Sequence, residues 1–157
     1  MIREAEIEDV PLIFDFIKKL AAYERLSHEV VATEADLERY LFEEEKVAEV
    51  LLGYAGKVPV GFALFFHNFS TFLGKPGIYL EDLFVLEDYR GKGYGKKLLA
   101  SLAALALERN CGRLEWAVLD WNEPSIEFYK SLGARMMDEW VINRMTGESL
   151  VKLASMC

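Results

Sequence analysis

Two acids inside an apolar strand, followed by a basic glycine loop, are the residues of this chain best suited by type and spacing to chemistry. The run Ile78 to Val85 is apolar except for Glu81 and Asp82. A carboxylate is costly to bury in such a run, and there it is suited to holding a cation or taking up a proton. Next comes Arg90-Gly91-Lys92-Gly93-Tyr94-Gly95-Lys96, and then Lys97 to Glu108 with helical apolar periodicity. Strand, glycine loop and helix in that order present backbone N–H groups to a phosphate. Further on, Asn122 precedes a short helical segment that carries Tyr129.

The surrounding elements must position these groups. Ile2 to Ile7 reads as a short strand. Pro11 suits the first turn of a helix in which Leu12, Ile13, Phe16, Ile17, Leu20 and Ala21 recur at helical spacing up to Tyr23-Glu24. Arg25 to Val31 reads as a loop. Thr33-Glu34-Ala35-Asp36 resembles a capping box, with Asp in place of the usual Glu, for a second helix reaching about Phe42. Val47 to Tyr54 and Val60 to His67 are strands joined by a turn at Gly56, and Asn68 to Gly77 is a loop. After the central strand and helix, Leu114 to Leu119 is a strand. Asn122-Glu123-Pro124-Ser125 opens a helix that ends at Gly133, and Ala134 to Ala154 reads as a hairpin turning at Thr146-Gly147. The order predicts one α/β domain over residues 1–157, with a mixed, mostly antiparallel sheet of about seven strands and helices on both faces.

Composition narrows the function. With 157 residues, 52% hydrophobic, the chain is sized for one domain with a sizeable core. A formal net charge of -8 argues against a general nucleic-acid binder and is compatible with a small cationic ligand. No apolar run approaches the roughly 18 residues of a membrane span. The two cysteines, Cys111 and Cys157, are far apart and suggest neither a metal site nor a disulfide framework. A cytoplasmic protein without a metal is the expectation.

The glycine loop discriminates among phosphate-binding motifs. In a Walker A reading, Gly95-Lys96 would be the GK pair, but Arg90 would occupy the first glycine and Lys97 the hydroxyl position. In the dinucleotide fingerprint GxGxxG, Gly91 and Gly93 match but Lys96 falls on the third glycine. Arg90-x-x-Gly93-x-Gly95 instead resembles the (Gln/Arg)-x-x-Gly-x-(Gly/Ala) signature of the GNAT superfamily of N-acetyltransferases. Tyr79 to Asp82, Asp88 to Gly91, Trp121 to Ser125, Phe128 to Lys130 and Leu20 to Glu24 look like the spermidine/spermine (diamine) branch, and a close branch that resembles it acetylates thialysine. The hairpin turn at Gly56 is shorter than in the polyamine enzymes.

The resemblance implies acetyl-CoA as cosubstrate. Its pyrophosphate would lie against Arg90, Gly91, Lys92, Gly93, Tyr94, Gly95 and Lys96. Its pantetheine arm would lie along Leu83, Phe84 and Val85, with Asn122 and Ser125 contributing. An alkylamine of pKa about 10.4 must lose a proton before it attacks, which costs roughly 4.6 kcal/mol at pH 7. Glu81 is the candidate base, directly or through water, and Tyr129 the candidate acid for the departing thiolate. Tyr23, Glu24, Glu81 and Asp82 would line the acceptor site. A small-molecule amine and a homodimer complete the expected partners. Acetylation of thialysine or another lysine-like amino acid, or a CoA-binding regulatory domain without turnover, are the alternatives.

Overall fold

The structure, a computed structural model, describes all 157 residues as two compact units, Met1–Leu119 and Asp120–Cys157. The first unit is built on a sheet of five strands, β1 (Ile2–Glu4), β2 (Glu49–Ala55), β3 (Val58–Ser70), β4 (Lys75–Val85) and β5 (Leu114–Trp116), in that spatial order. Neighbours are antiparallel except β4 and β5, which run parallel. Helix α3 (Tyr94–Glu108) makes the crossover between them. The expected mixed sheet with helices on both faces is present.

One face is covered by α1 (Val10–Tyr23) and α2 (Glu34–Leu41). Ile13, Phe16 and Leu20 recur at helical spacing and pack on Val50, Leu52, Phe62 and Phe84, alternate residues of their strands. The Phe16 ring stacks on Phe62 at 5.7 Å between centroids and tilts against Phe84 at 6.2 Å. α2 begins at the expected capping box, in which the Asp36 N–H donates to Thr33 Oγ1 at 3.2 Å and the Thr33 N–H to Asp36 Oδ2 at 2.8 Å. The other face lies under α3, which buries Leu98, Leu99, Leu102 and Ala106.

Several boundaries differ from the sequence reading. The β3–β4 hairpin is longer, so most of the expected loop from Asn68 to Gly77 is strand. The stretch Arg25 to Val31 holds a 3-10 turn at Ser27–Glu29.

The second unit carries α4 (Glu123–Ser131) and α5 (Gly147–Ala154). The expected C-terminal hairpin is absent, and α5 begins where its turn was placed. Leu150, Leu153 and Ala154 are three and four residues apart, a helical rather than an alternating pattern. The sheet therefore has five strands rather than about seven. No helix is long and apolar enough to cross a membrane.

Candidate active site

The central strand is irregular where the sequence places its acids. Along β3 and β4 the register pairs Phe65 with Leu80 and Leu64 with Asp82, so Glu81 is an extra residue, a bulge. Directly opposed residues share a sheet face. Leu80, opposite Phe65, therefore points toward α3, and Asp82, opposite Leu64, toward α1. The bulge puts Tyr79, Asp82 and Phe84 on the α1 side together, and the Phe66 and Tyr79 rings meet there at 5.2 Å.

The parallel ladder to β5 stops at Leu80 opposite Trp116. The β4 edge from Glu81 to Val85 thus has no partner strand on that side. Backbone N–H and C=O groups on such an edge are available to an extended ligand.

Glu81 is exposed and Asp82 is half-buried. Of the two acids in the apolar run, Asp82 is therefore the one turned toward the interior. Burial pushes the Asp82 carboxyl up from 3.8 to about 7, with the negative charges of Glu81 and Glu24 adding to it. Glu24, the residue that closes α1, is raised for the same reasons, burial first and then Glu81. The Tyr79 hydroxyl is raised as well, by burial and by the charges of Glu81 and Glu115. The charge of Glu81 thus reaches both Glu24 and Asp82, and that of Glu24 reaches Asp82.

Beyond β4 a 3-10 turn at Glu87–Tyr89 leads into the glycine loop. Gly91 and Gly93 have φ of 73° and 87°, which an L side chain adopts only with strain, and nothing lies within 4 Å of where a Cβ would stand on either. Gly93 is the N-cap of α3, and its carbonyl accepts the Lys97 N–H at 3.0 Å. The N–H groups of Tyr94, Gly95 and Lys96 come before that first helical bond and point out of the helix end, where the dipole favours an anion. The open loop and the free helix end fit a pyrophosphate.

Arg90 reaches back over the end of β4 toward α1. Its Nε donates to the Val85 carbonyl at 2.9 Å. Its guanidinium lies over the Tyr23 ring at 4.7 Å and the Phe84 ring at 5.4 Å. Lys92 lies over the Tyr89 ring at 5.3 Å, and the Tyr89 and Tyr94 rings meet edge to face across the loop at 6.1 Å.

In the second unit, Asn122 is buried at the N-cap of α4, and its carbonyl accepts the Ile126 N–H at 3.0 Å. Pro124 in the first turn sets the helix start, as the sequence suggested. Ser125 and Tyr129 lie half-buried on α4, and the Tyr129 ring sits 5.5 Å from Phe128.

A bulged strand, an open strand edge and a glycine loop capping a helix define an α/β fold suited to an extended, phosphate-bearing ligand, and comparison with known proteins gives its family. The model of the Acetyltransferase (GNAT) family matches residues 16–134. The chain is 39% identical to a thialysine N-epsilon-acetyltransferase of Bos taurus, covering 98% of this chain and 96% of that one. It is 35% identical to an L-ornithine N5-acetyltransferase of Arabidopsis thaliana, covering 95% and 85%. Among solved structures, an integron cassette protein from the mobile metagenome of V. cholerae superposes with a TM-score of 0.81 at 32% identity, covering 98% and 96%. The chain belongs to the GNAT family of acetyltransferases and is an N-acetyltransferase; enzymes of this family use acetyl-CoA.

Proposed function

We propose that the protein acetylates a primary amine of a small aliphatic acceptor carrying a second positive charge, a diamine, a polyamine or a lysine-like amino acid. The observation that carries this is the group of Glu24, Glu81 and Asp82. Asp82 is held near half protonation at neutral pH by burial and by its neighbours' charge. Such a group has more negative charge than it can hold alone, and a cation relieves it. The thialysine and ornithine acetyltransferases among the relatives act on acceptors with this chemistry.

Acetyl-CoA supplies an acyl group activated as a thioester. Gly91, Gly93 and the first N–H groups of α3 would hold its pyrophosphate, aided by Lys92 and Lys96. The unpaired edge at Leu83, Phe84 and Val85 would accept its pantetheine amides, with Asn122 and Ser125 adding contacts. An N–H of that edge would stabilise negative charge on the carbonyl oxygen. Glu81 is placed at the bulge with access to solvent, so it takes the ammonium proton directly or through water, and Asp82 beside it shares the proton. Tyr129 donates a proton to the departing sulfur. Tyr23 and Glu24 line the acceptor end. In this reading residues 1–157 remain a single N-acetyltransferase domain.

A homodimer fits as well, since Trp140, Val141 and Ile142 are 76%, 79% and 74% exposed, an apolar stretch that a partner would cover.

CoA release measured over a panel of diamines, lysine-like amino acids, monoamines and aromatic amines tests the reading. Diamines or lysine-like amines should lead, and Glu24→Gln should raise the Michaelis constant for a diamine more than for a monoamine of equal length. Equal turnover of mono- and diamines by both proteins overturns the acceptor assignment, and no turnover of any amine favours a regulatory CoA-binding role.

A further inference from the structure

Beside the glycine loop, two lysines are held on tyrosine rings. Lys92 lies over the Tyr89 ring at 5.3 Å and Lys97 over the Tyr94 ring at 5.6 Å. The rings themselves meet edge to face at 6.1 Å, so each helps to fix the other. Both lysines are exposed, and both tyrosines are half-buried.

Lys96 and Lys97 stand near the start of α3, whose first turn holds no acid. The dipole disfavours a cation at that end of a helix, and a bound anion offsets the cost. Helical side chains lean toward the N-terminus, over the residue three positions before them. For Lys96 that residue is Gly93, beside the N–H groups of the helix end. For Lys97 it is Tyr94, and the contact with that ring follows. The two lysines are therefore directed to different places, although they are adjacent in the chain.

An acetyl-CoA molecule carries two separate anionic groups. One is the pyrophosphate. The other is the 3′-phosphate of the ribose, a monoester of about -1.5 to -2 charge at pH 7. The helix end and Lys96 answer the first. Arg90 is bonded to the Val85 carbonyl and lies over Tyr23, so the cations left beside the loop are Lys92 and Lys97. Of these, Lys97 is the one that the Tyr94 ring holds to the side of the helix end.

We propose that Lys97, positioned by the Tyr94 ring, binds the 3′-phosphate of the acetyl donor. It makes the enzyme selective for acyl groups on free CoA over those on dephospho-CoA or on the phosphopantetheine of a carrier protein, which lack that phosphate. The proposal rests on the donor reading above, in which the glycine loop holds the pyrophosphate.

Calorimetry with CoA and with 3′-dephospho-CoA, which differ in that phosphate alone, tests it on the wild type, Lys97→Gln, Lys96→Gln and Tyr94→Leu. Both lysines are exposed, so their variants should fold. The wild type should bind CoA about tenfold more tightly than dephospho-CoA. Lys97→Gln should bring that ratio to about two or less while keeping dephospho-CoA affinity within about twofold of wild type. Lys96→Gln should weaken both ligands alike and keep the ratio. Tyr94→Leu retains the lysine and loses its support, and should lower the ratio about two- to threefold. A ratio that survives in Lys97→Gln, or a Lys97→Gln variant that weakens both ligands equally, overturns the proposal. If the wild type binds the two ligands equally, the pyrophosphate reading stands and only the proposal falls. If it binds neither, the donor reading of the loop falls and takes the proposal with it.

Discussion

A dicationic acceptor should strip a proton from Asp82, and the amount is set by the structure. With its carboxyl at about 7, Asp82 is about nine-tenths protonated at pH 6, half at pH 7 and one-tenth at pH 8. Glu24 and Glu81, which raise it, lose part of their influence once an ammonium group sits among them, and Asp82 ionises. Diamine binding should therefore release about 0.9, 0.5 and 0.1 proton at those three pH values, and affinity should rise about tenfold from pH 6 to pH 8. The bound ammonium groups, of pKa about 10.4, contribute no pH dependence over this window. Calorimetry without acetyl-CoA, in buffers of different ionisation enthalpy, measures the released proton directly. Asp82→Asn should bind more weakly and lose the pH dependence. Release that is the same at pH 6 and pH 8, or that persists in Asp82→Asn, would refute the role given to the cluster. The same carboxyl has a stability signature. Its folded pKa lies above its unfolded value of 3.8, so the folded state binds the extra proton between about pH 4 and pH 7. Wild-type stability therefore falls as pH rises through that window and then levels off. Asp82→Asn lacks this loss, so without ligand its melting temperature should exceed the wild type's most above pH 7. Full burial would make the difference about 4 kcal/mol, and partial solvation brings it to the order of 2 kcal/mol.

Other outcomes follow from the same geometry. Gly93→Val should weaken acetyl-CoA binding and also cost about 1–2 kcal/mol of stability, because φ is 87° there. Gly56→Ala, at φ 60° in the β2–β3 turn with open space around it, is the control: it should lower the melting temperature and leave acetyl-CoA affinity unchanged in calorimetry. Glu81→Gln should reduce the rate at neutral pH by about 10²-fold, with part of the loss returning at high pH in a pH–rate profile. Tyr129→Phe should lower kcat by about 10²-fold with the acetyl-CoA dissociation constant kept, and an unchanged kcat would remove Tyr129 from proton transfer.

The parts of the fold legible in the sequence are those written as period and punctuation. The apolar recurrence from Leu12 to Ala21, the capping box at Thr33, the turn at Gly56 and the strand–glycine–helix order all appear as read, because each is decided by neighbours in the chain. The C-terminal stretch was misread because Val141 and Ile142 have strand propensity but no strand lies beside them, and strands depend on partners far away in sequence.

The site shows the same division more sharply. Both acids were visible as intruders in an apolar run, and the sequence could not say which one faces inward. That depends on the bulge, a mismatch between β3 and β4 that neither strand records alone. One extra residue moves Asp82 to the α1 side, leaves Glu81 exposed, and coincides with the end of the ladder to β5. Arg90 makes the complementary point. Its place in a signature assigned it to phosphate, but its contacts with Tyr23 and Phe84 arise from the packing of α1 on β4. A loop motif specifies backbone shape through its glycines far more firmly than it specifies where a long side chain goes. The assignments that rest on Gly91 and Gly93 therefore follow from the local sequence, whereas those of Glu81, Asp82 and Arg90 are properties of the assembled sheet.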